Sequence, residues 1–379
     1  MTAPSVDPSG TSPGWYTDPW SVAAWRWWDG YAWTAHVSDG TADQAKRPRL
    51  PAWLSTPVLI ASILTVPIVI GLAIVQPVAV LLGLVPLVIV LPPLAWLDRV
   101  EPEPWSSRLH ALLWGATVAG IISVIINTIT AIVVNESVAA VISAPVVEEA
   151  TKGLGVLWAV RRREVDSVMD GIVYAGWVAL GFAVIEDFNY FASAGDLIVQ
   201  VFITRALLTP FAHPLFTAWI GLAIGLAISR RQSIWAHAFW GYGLAVVSHA
   251  AWNGSLVYAE ESGNATSIIV AATCFVILFV LAVVTVVAIR RNEQRNFLRA
   301  VPVLARRYGM APSEIQVFGH WRTMLATRRS LPRHQRRQFD AVHSALARLA
   351  QLHQRPGPIE PVAEQRLVDQ LQRARATTA

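Results

Sequence analysis

The chain has 379 residues, 54% hydrophobic and only 15% charged, with a mean hydropathy of +0.46. Soluble globular proteins carry about 25% charged residues, so this composition excludes an ordinary soluble domain and indicates a membrane protein. The net charge of +5 is uneven: residues from 290 onward hold 17 Arg against 6 acidic residues, whereas residues 1–289 are net negative.

Residues 1–12 are rich in Ser, Thr, Pro and Gly and are expected to be disordered. With no apolar stretch near its start, the chain predicts no cleavable signal peptide. Residues 13–37, PGWYTDPWSVAAWRWWDGYAWTAHV, hold two runs, Trp25–Trp28 and Tyr31–Val37, around the turn pair Asp29-Gly30. They predict a small β-hairpin cored by Trp15, Trp20, Trp25, Trp27, Trp28 and Trp33, an interaction or stabilising module with an unidentified partner. Residues 38–52 read as a linker, polar as far as Lys46-Arg47-Pro48-Arg49.

The segment 53–289 carries apolar runs of membrane-spanning length, about 20 residues each. Eight are expected: 53–75, 78–97, 109–134, 137–160, 170–192, 198–228, 233–258 and 266–289. The third and sixth are long enough to be tilted or broken. Alternate connections carry Arg or Lys, and the others (76–77, 135–136, 193–197, 259–265) carry neither. The positive-inside rule then places both termini in the cytoplasm of a protein of the cytoplasmic membrane. Cys274, the sole cysteine, lies in the eighth run and excludes an intramolecular disulfide and a thiolate metal site. The tail, 290–379, shows helical periodicity at 295–308, 313–328, 338–353 and 362–374, with Pro332 and the PGP at 356–358 as breaks. Its arginines suit an anionic lipid surface, and no recognition motif accompanies them that would indicate nucleic acid. The fold class is an all-α polytopic membrane protein with a β-hairpin module before it and a basic helical tail after it.

Ionisable groups at mid-bilayer cost about 2.5–3.5 kcal/mol each on insertion scales, yet runs four to seven keep several. They are Glu148, Glu149 and Lys152; Glu186 and Asp187; Arg205 and His213; and His249 with Asn253. Either glutamate of the first pair lies at helical reach of Lys152, and Glu186 with Tyr190, like His249 with Asn253, are spaced i,i+4. One glutamate is therefore expected to be held by Lys152 while the other points elsewhere. Glycines at 153–155, 179–182 and 221–225 allow close helix approach. Such a polar cavity suits hydrolysis by an activated water, with a buried carboxylate as base and His and Asn donors for an oxyanion. The chain has no HExxH, GxSxG or cysteine nucleophile motif. No cofactor is expected, although a zinc ion on His213, His249 and Glu148 is chemically possible. Structural ion pairs, a proton-coupled transporter and a non-catalytic membrane scaffold are the alternatives.

In order, Glu148-Glu149-Ala-Thr-Lys152, Gly181-Phe182 through Glu186 to Tyr190, Arg205 through His213 to Thr217, and His249-Ala-Ala-Trp252-Asn253 resemble the PrsW family of intramembrane proteases. That family is related to the CAAX prenyl endopeptidases and to bacteriocin-processing membrane proteins. DRVEPEPW at 98–105 and MDGIVYAG at 169–176 extend the resemblance, which covers roughly residues 95–258. It departs at Asp187, where the family usually has Asn. GWY, DP, RWWDG and WT in the N-terminal region resemble a module found in actinobacterial membrane proteins. The family resemblance implies a glutamate-type endopeptidase acting on membrane-anchored proteins such as anti-sigma factors, in regulated proteolysis. By the same resemblance Glu148 is the base, supported by Glu149 and Lys152. His213 holds the water, His249 and Asn253 form the oxyanion site, and Arg205 orients the carboxylates, Glu186 among them.

Overall fold

The computed structural model describes residues 13–38, 55–354, 359 and 361–376. The expected disorder of 1–12, nearly all of the linker and the PGP break lie outside the described residues. The chain divides into two compact units, one built from 48–99 and 103–290, the other from 1–47, 100–102 and 291–379.

The membrane unit contains α1 (Thr56–Val75), α2 (Pro77–Leu97), α3 (Trp105–Val133), α4 (Ala144–Arg161), α5 (Val168–Ser193), α6 (Gly195–Ser229), α7 (Ile234–Ser262) and α8 (Ala265–Arg307), the last leaving the unit after Arg290. Six of these, α1, α2, α3, α5, α6 and α8, are long and apolar enough to cross a membrane. The other two, α4 and α7, carry Glu148, Glu149 and Lys152, and His249 and Asn253. Pro77 separates α1 from α2, because it brings no N–H and begins a helix more readily than it continues one. Helix α3 contains a π-helical turn at Trp114–Ala119. Helix α6 has another at Ile203–Leu208 and breaks around Pro210.

Helix α5 is the centre of the unit, with 89% of its apolar window buried. It is apolar all round, the pattern of a helix enclosed by others. Its start is fixed by a capping box: Asp170 N–H donates to Ser167 Oγ at 3.1 Å, and Ser167 N–H to Asp170 Oδ2 at 2.8 Å. Two glycine contacts set its neighbours. A Cβ on Gly181 would lie 1.9 Å from the Leu112 carbonyl oxygen of α3, and one on Gly171 would lie 2.2 Å from that of Gly221 in α6. Only glycine permits these backbone crossings.

In the second unit the N-terminal module is a three-stranded antiparallel sheet, β1 (Gly14–Thr17), β2 (Trp25–Trp28) and β3 (Trp33–Ser38), in the order β1-β2-β3. The sequence reading has only the β2–β3 hairpin. Strand β1 is too short to show a periodicity, and its connection depends on one side chain. Asp18 accepts from the backbone N–H groups of Trp20, Val22 and Ala23 and from Arg26 Nε at 2.7 Å. The expected tryptophan core is also revised. Trp28 is buried and Trp20 exposed, while Trp27 joins the core of the tail, beside Leu304, Tyr308, Leu349 and Leu371. The tail helices are α9 (Pro312–Phe318), α10 (Trp321–Ser330), α11 (Arg333–Gln354) and α12 (Pro361–Ala376). The run expected as one helix at 313–328 breaks after Phe318, whereas those at 266–289 and 295–308 are continuous in α8.

Candidate active site

Polar side chains from α4, α5, α6 and α7 meet inside the membrane unit. Glu148, Glu149 and Lys152 lie on successive faces of α4 and are all buried, Glu149 and Lys152 at 0% exposure. Lys152 Nζ donates to Glu149 Oε1 at 2.9 Å, to Glu148 Oε2 at 3.3 Å and to His213 Nδ1 at 3.1 Å. The ammonium also lies 3.9 Å from the centre of the Phe182 ring, a cation–π contact. One lysine thus holds both glutamates, where the sequence reading assigns it one.

The two carboxylates are nevertheless unequal. Glu149 accepts from Lys152, from Thr217 Oγ1 at 2.8 Å and from His249 Nδ1 at 3.1 Å. Glu148 has two longer bonds, to Lys152 and to Asn127 Nδ2, both 3.3 Å. Glu149 is therefore the anchored carboxylate and Glu148 the more available one. Asn127 is itself positioned by Ser143 Oγ, which donates to its Oδ1 at 2.9 Å. The sequence reading passes over Asn127; its signal is a lone amide within the apolar run IINTIT.

His213 links this group to a second one. Because Lys152 donates to its Nδ1, its Nε2 carries the proton and donates to Glu186 Oε2 at 2.6 Å. Arg205, in the π-helical turn of α6, pairs with Glu186 and donates through Nε to Asp187 Oδ1 at 2.7 Å. Its guanidinium lies 3.7 Å from the centre of the Tyr190 ring. Opposite, the His249 ring stacks on Phe216, with centroids 4.9 Å apart, and meets His213 edge-on at 5.6 Å. Asn253 donates to the Ala140 carbonyl at 2.9 Å. This bond satisfies a backbone acceptor in the π-helical turn Ala139–Ser143 that precedes α4. A polar pocket of about 50 Å³ is lined by Glu186, Arg205, His213, His249, Trp252 and Asn253 among others. That exceeds the 10–15 Å³ or so that one water needs.

Glu148, His213 and His249 each offer a ligand atom, all within 4.8 Å of one another. Two imidazoles and a carboxylate are a donor set suited to zinc. Glu149 behind His249 Nδ1 supplies the second carboxylate that orients a ligating imidazole and leaves Nε2 its lone pair. The donor chemistry fits a metal.

The profile of the family described as "PrsW family intramembrane metalloprotease" matches residues 103–288, a range that holds every residue of this cluster. This segment of the chain is similar to the PrsW family. A second profile, "Protein of unknown function (DUF2510)", matches residues 13–46 and so includes the three-stranded sheet. Protease PrsW of Geobacillus kaustophilus is 36% identical over 146 residues, which are 37% of this chain and 64% of that protein. Protease PrsW of Clostridioides difficile is 33% identical over 134 residues, 34% of this chain and 56% of that protein. The chain thus spans less than two thirds of either PrsW relative. No solved structure matches it.

Proposed function

We propose that the chain is an eight-span endopeptidase of the cytoplasmic membrane, both termini cytoplasmic, that cleaves membrane-anchored proteins such as anti-sigma factors. The observation that carries this reading is the meeting of Glu148, Glu149, Lys152, His213 and His249, from three helices, beside a pocket with room for water. Support for eight spans comes from α4 and α7, which supply the polar residues and are lined on one side by α5 and α6. In this reading Glu148 takes the proton of an attacking water that lies beside the His213 ring, whose nitrogens are held by Lys152 and Glu186. Glu149 and Thr217 fix His249 on the pocket wall, and Asn253, on the same wall, offers the amide N–H not used on Ala140 to the developing oxyanion. Glu186, steadied by Arg205, sets the tautomer of His213. Lys152 supplies a fixed positive charge that offsets the negative charge of the carboxylates in a medium of low dielectric.

The donor set and the family description favour a second reading on the same residues, in which Glu148, His213 and His249 hold zinc. When bound, the ion supplies Lewis acidity to a peptide carbonyl and to water. Lys152 then gives up its contact with His213 or Glu148, and Glu149 continues to orient His249.

The test uses the purified protein in proteoliposomes with single-span anti-sigma factors as substrates. Glu148→Gln, His213→Ala and His249→Ala are each expected to lower cleavage about 10²–10⁴-fold while helix content and unfolding midpoint stay near wild type. Cleavage retained by all three variants sinks the site. Complete loss with a chelator, restored by zinc, selects the metal reading.

A further inference from the structure

A second recess lies in the membrane unit, on the far side of one ring from the polar pocket. Its volume is about 150 Å³, and its lining includes Leu215, Trp219 and Leu222 of α6 and Leu278, Leu281 and Ala282 of α8. No charged residue lines it. Apart from Ser248 and Thr285 the lining is apolar, and an apolar cavity of about this size accepts a benzene-sized group. Phe216 lines both this recess and the polar pocket, and its ring is the one that stacks on His249.

The wall formed by α8 is the least enclosed of the spans. None of its apolar window is buried, against 89% for α5. Two ring contacts connect it to the site. Phe275 lies 4.8 Å from Trp252, which lines the polar pocket, and packs with Phe216. Phe279 lies 5.4 Å from Phe211 at the start of α6's second half. Beyond these, among the described residues, α8 is fastened only near its end in the membrane unit, where Val286 and Ile289 pack on the core and Arg290 Nε donates to the Trp96 carbonyl at 2.9 Å; the part between separates from its neighbours more easily than a helix crossed by backbone-to-backbone glycine contacts, as α5 is.

We propose that this recess is a substrate subsite: it receives an apolar side chain from the membrane segment of the substrate, which arrives from the lipid by parting α8 from α6 and α7. The inference rests on the protease reading above. Phe216 is the partition that places the bound side chain one ring away from His249, so recognition of an apolar residue and positioning of the neighbouring peptide bond are a single event. A lipid acyl chain fits the same chemistry of lining, but the shared ring favours an occupant that reaches the reacting groups.

Two variants test it, each with two probes: a single-span anti-sigma factor in proteoliposomes, and a detergent-soluble peptide carrying the same bond but with serine in place of the apolar residue that would enter the recess. Filling the recess by Ala282→Trp, or more mildly by Ala282→Leu, is expected to lower cleavage of the membrane substrate at least tenfold and that of the peptide less than twofold. Clamping α8 is done in a Cys274→Ser background with Phe211→Cys and Phe279→Cys, bridged by a short bis-thiosulfonate. The bridge is expected to give the same split, reversed by reductant. Normal cleavage of both probes after filling and clamping overturns the proposal, as does equal loss on both. A co-purifying lipid displaced by Ala282→Leu, with cleavage of both probes unchanged, assigns the recess to lipid and also overturns it. If the unmodified protein cleaves neither probe, the protease reading itself fails and the subsite goes with it.

Discussion

Glu149 of the membrane unit and Glu364 of the second unit are buried alike, at 0% and 1% exposure, and are satisfied alike. Glu364 Oε1 accepts from Tyr308 Oη at 2.6 Å and His353 Nε2 at 2.9 Å and pairs with Arg307 at 3.1 Å. Glu149 takes three donors from α4, α6 and α7. The difference lies beside them. Next to Glu149 sits a further carboxylate, Glu148, with two bonds of 3.3 Å and two imidazoles within 4.8 Å. Burial of a charge with full partners is a structural device in both places. What distinguishes the membrane cluster is a carboxylate in excess of what its partners saturate, beside two imidazoles that line a pocket with room for water.

The comparison breaks if Glu149 and Glu364 respond in the same way. Of this pair Glu149→Gln is expected to have the larger effect on activity, a fall in cleavage of about 10²–10³-fold, because it removes the acceptor that orients His249 and leaves Lys152 short of a counter-charge. The measurement is kcat/KM in proteoliposomes alongside the unfolding midpoint. Glu364→Ala is expected to destabilise the second unit by about 1–3 kcal/mol, since the buried Tyr308 hydroxyl is left without its carboxylate acceptor. Hydrogen exchange of α11 and α12 reads that loss, and unchanged protection there contradicts the structural role given to Glu364.

A third expectation concerns pH. Burial lowers His343 of α11 to about 4, and its Nε2 has no hydrogen-bond partner among the described residues. Its unfolded value is about 6.5. The contribution to stability is therefore complete above pH 6.5 and is lost as pH falls towards 4, by up to about 3 kcal/mol. Exchange in the second unit should rise across that window, and His343→Phe should flatten the profile. The smallest effect is expected at Asp187→Asn. Arg205 keeps Glu186 and Tyr190, so kcat/KM should change less than about threefold; a larger fall would give Asp187 a role in holding His213 through Arg205 and Glu186.

The sequence made the polar residues visible because charge is rare in membrane-length runs, so Glu148, Lys152, Glu186, Arg205, His213 and His249 stand out individually. It made the break at Gln76-Pro77 visible because proline lacks the N–H that a continuing helix needs. Asn127 was not visible in the same way. An uncharged amide in an apolar run costs less to insert than a charge, and only its bond to Glu148 gives it meaning. Strand β1 was hidden because four residues carry no period and its turn is organised by Asp18.

Sequence alone determined the membrane class and picked out the polar side chains within the apolar runs, since hydropathy and residue type are local properties. Tertiary structure alone decided which of the two glutamates is anchored. Their spacing from Lys152 on α4 is equally good for both, so the choice falls to groups from other helices: Thr217 and His249 saturate Glu149, and Asn127 reaches Glu148 only at 3.3 Å. The same holds for Trp27, whose local pattern places it in a small hairpin, but whose burial comes from helices more than 270 residues further along the chain.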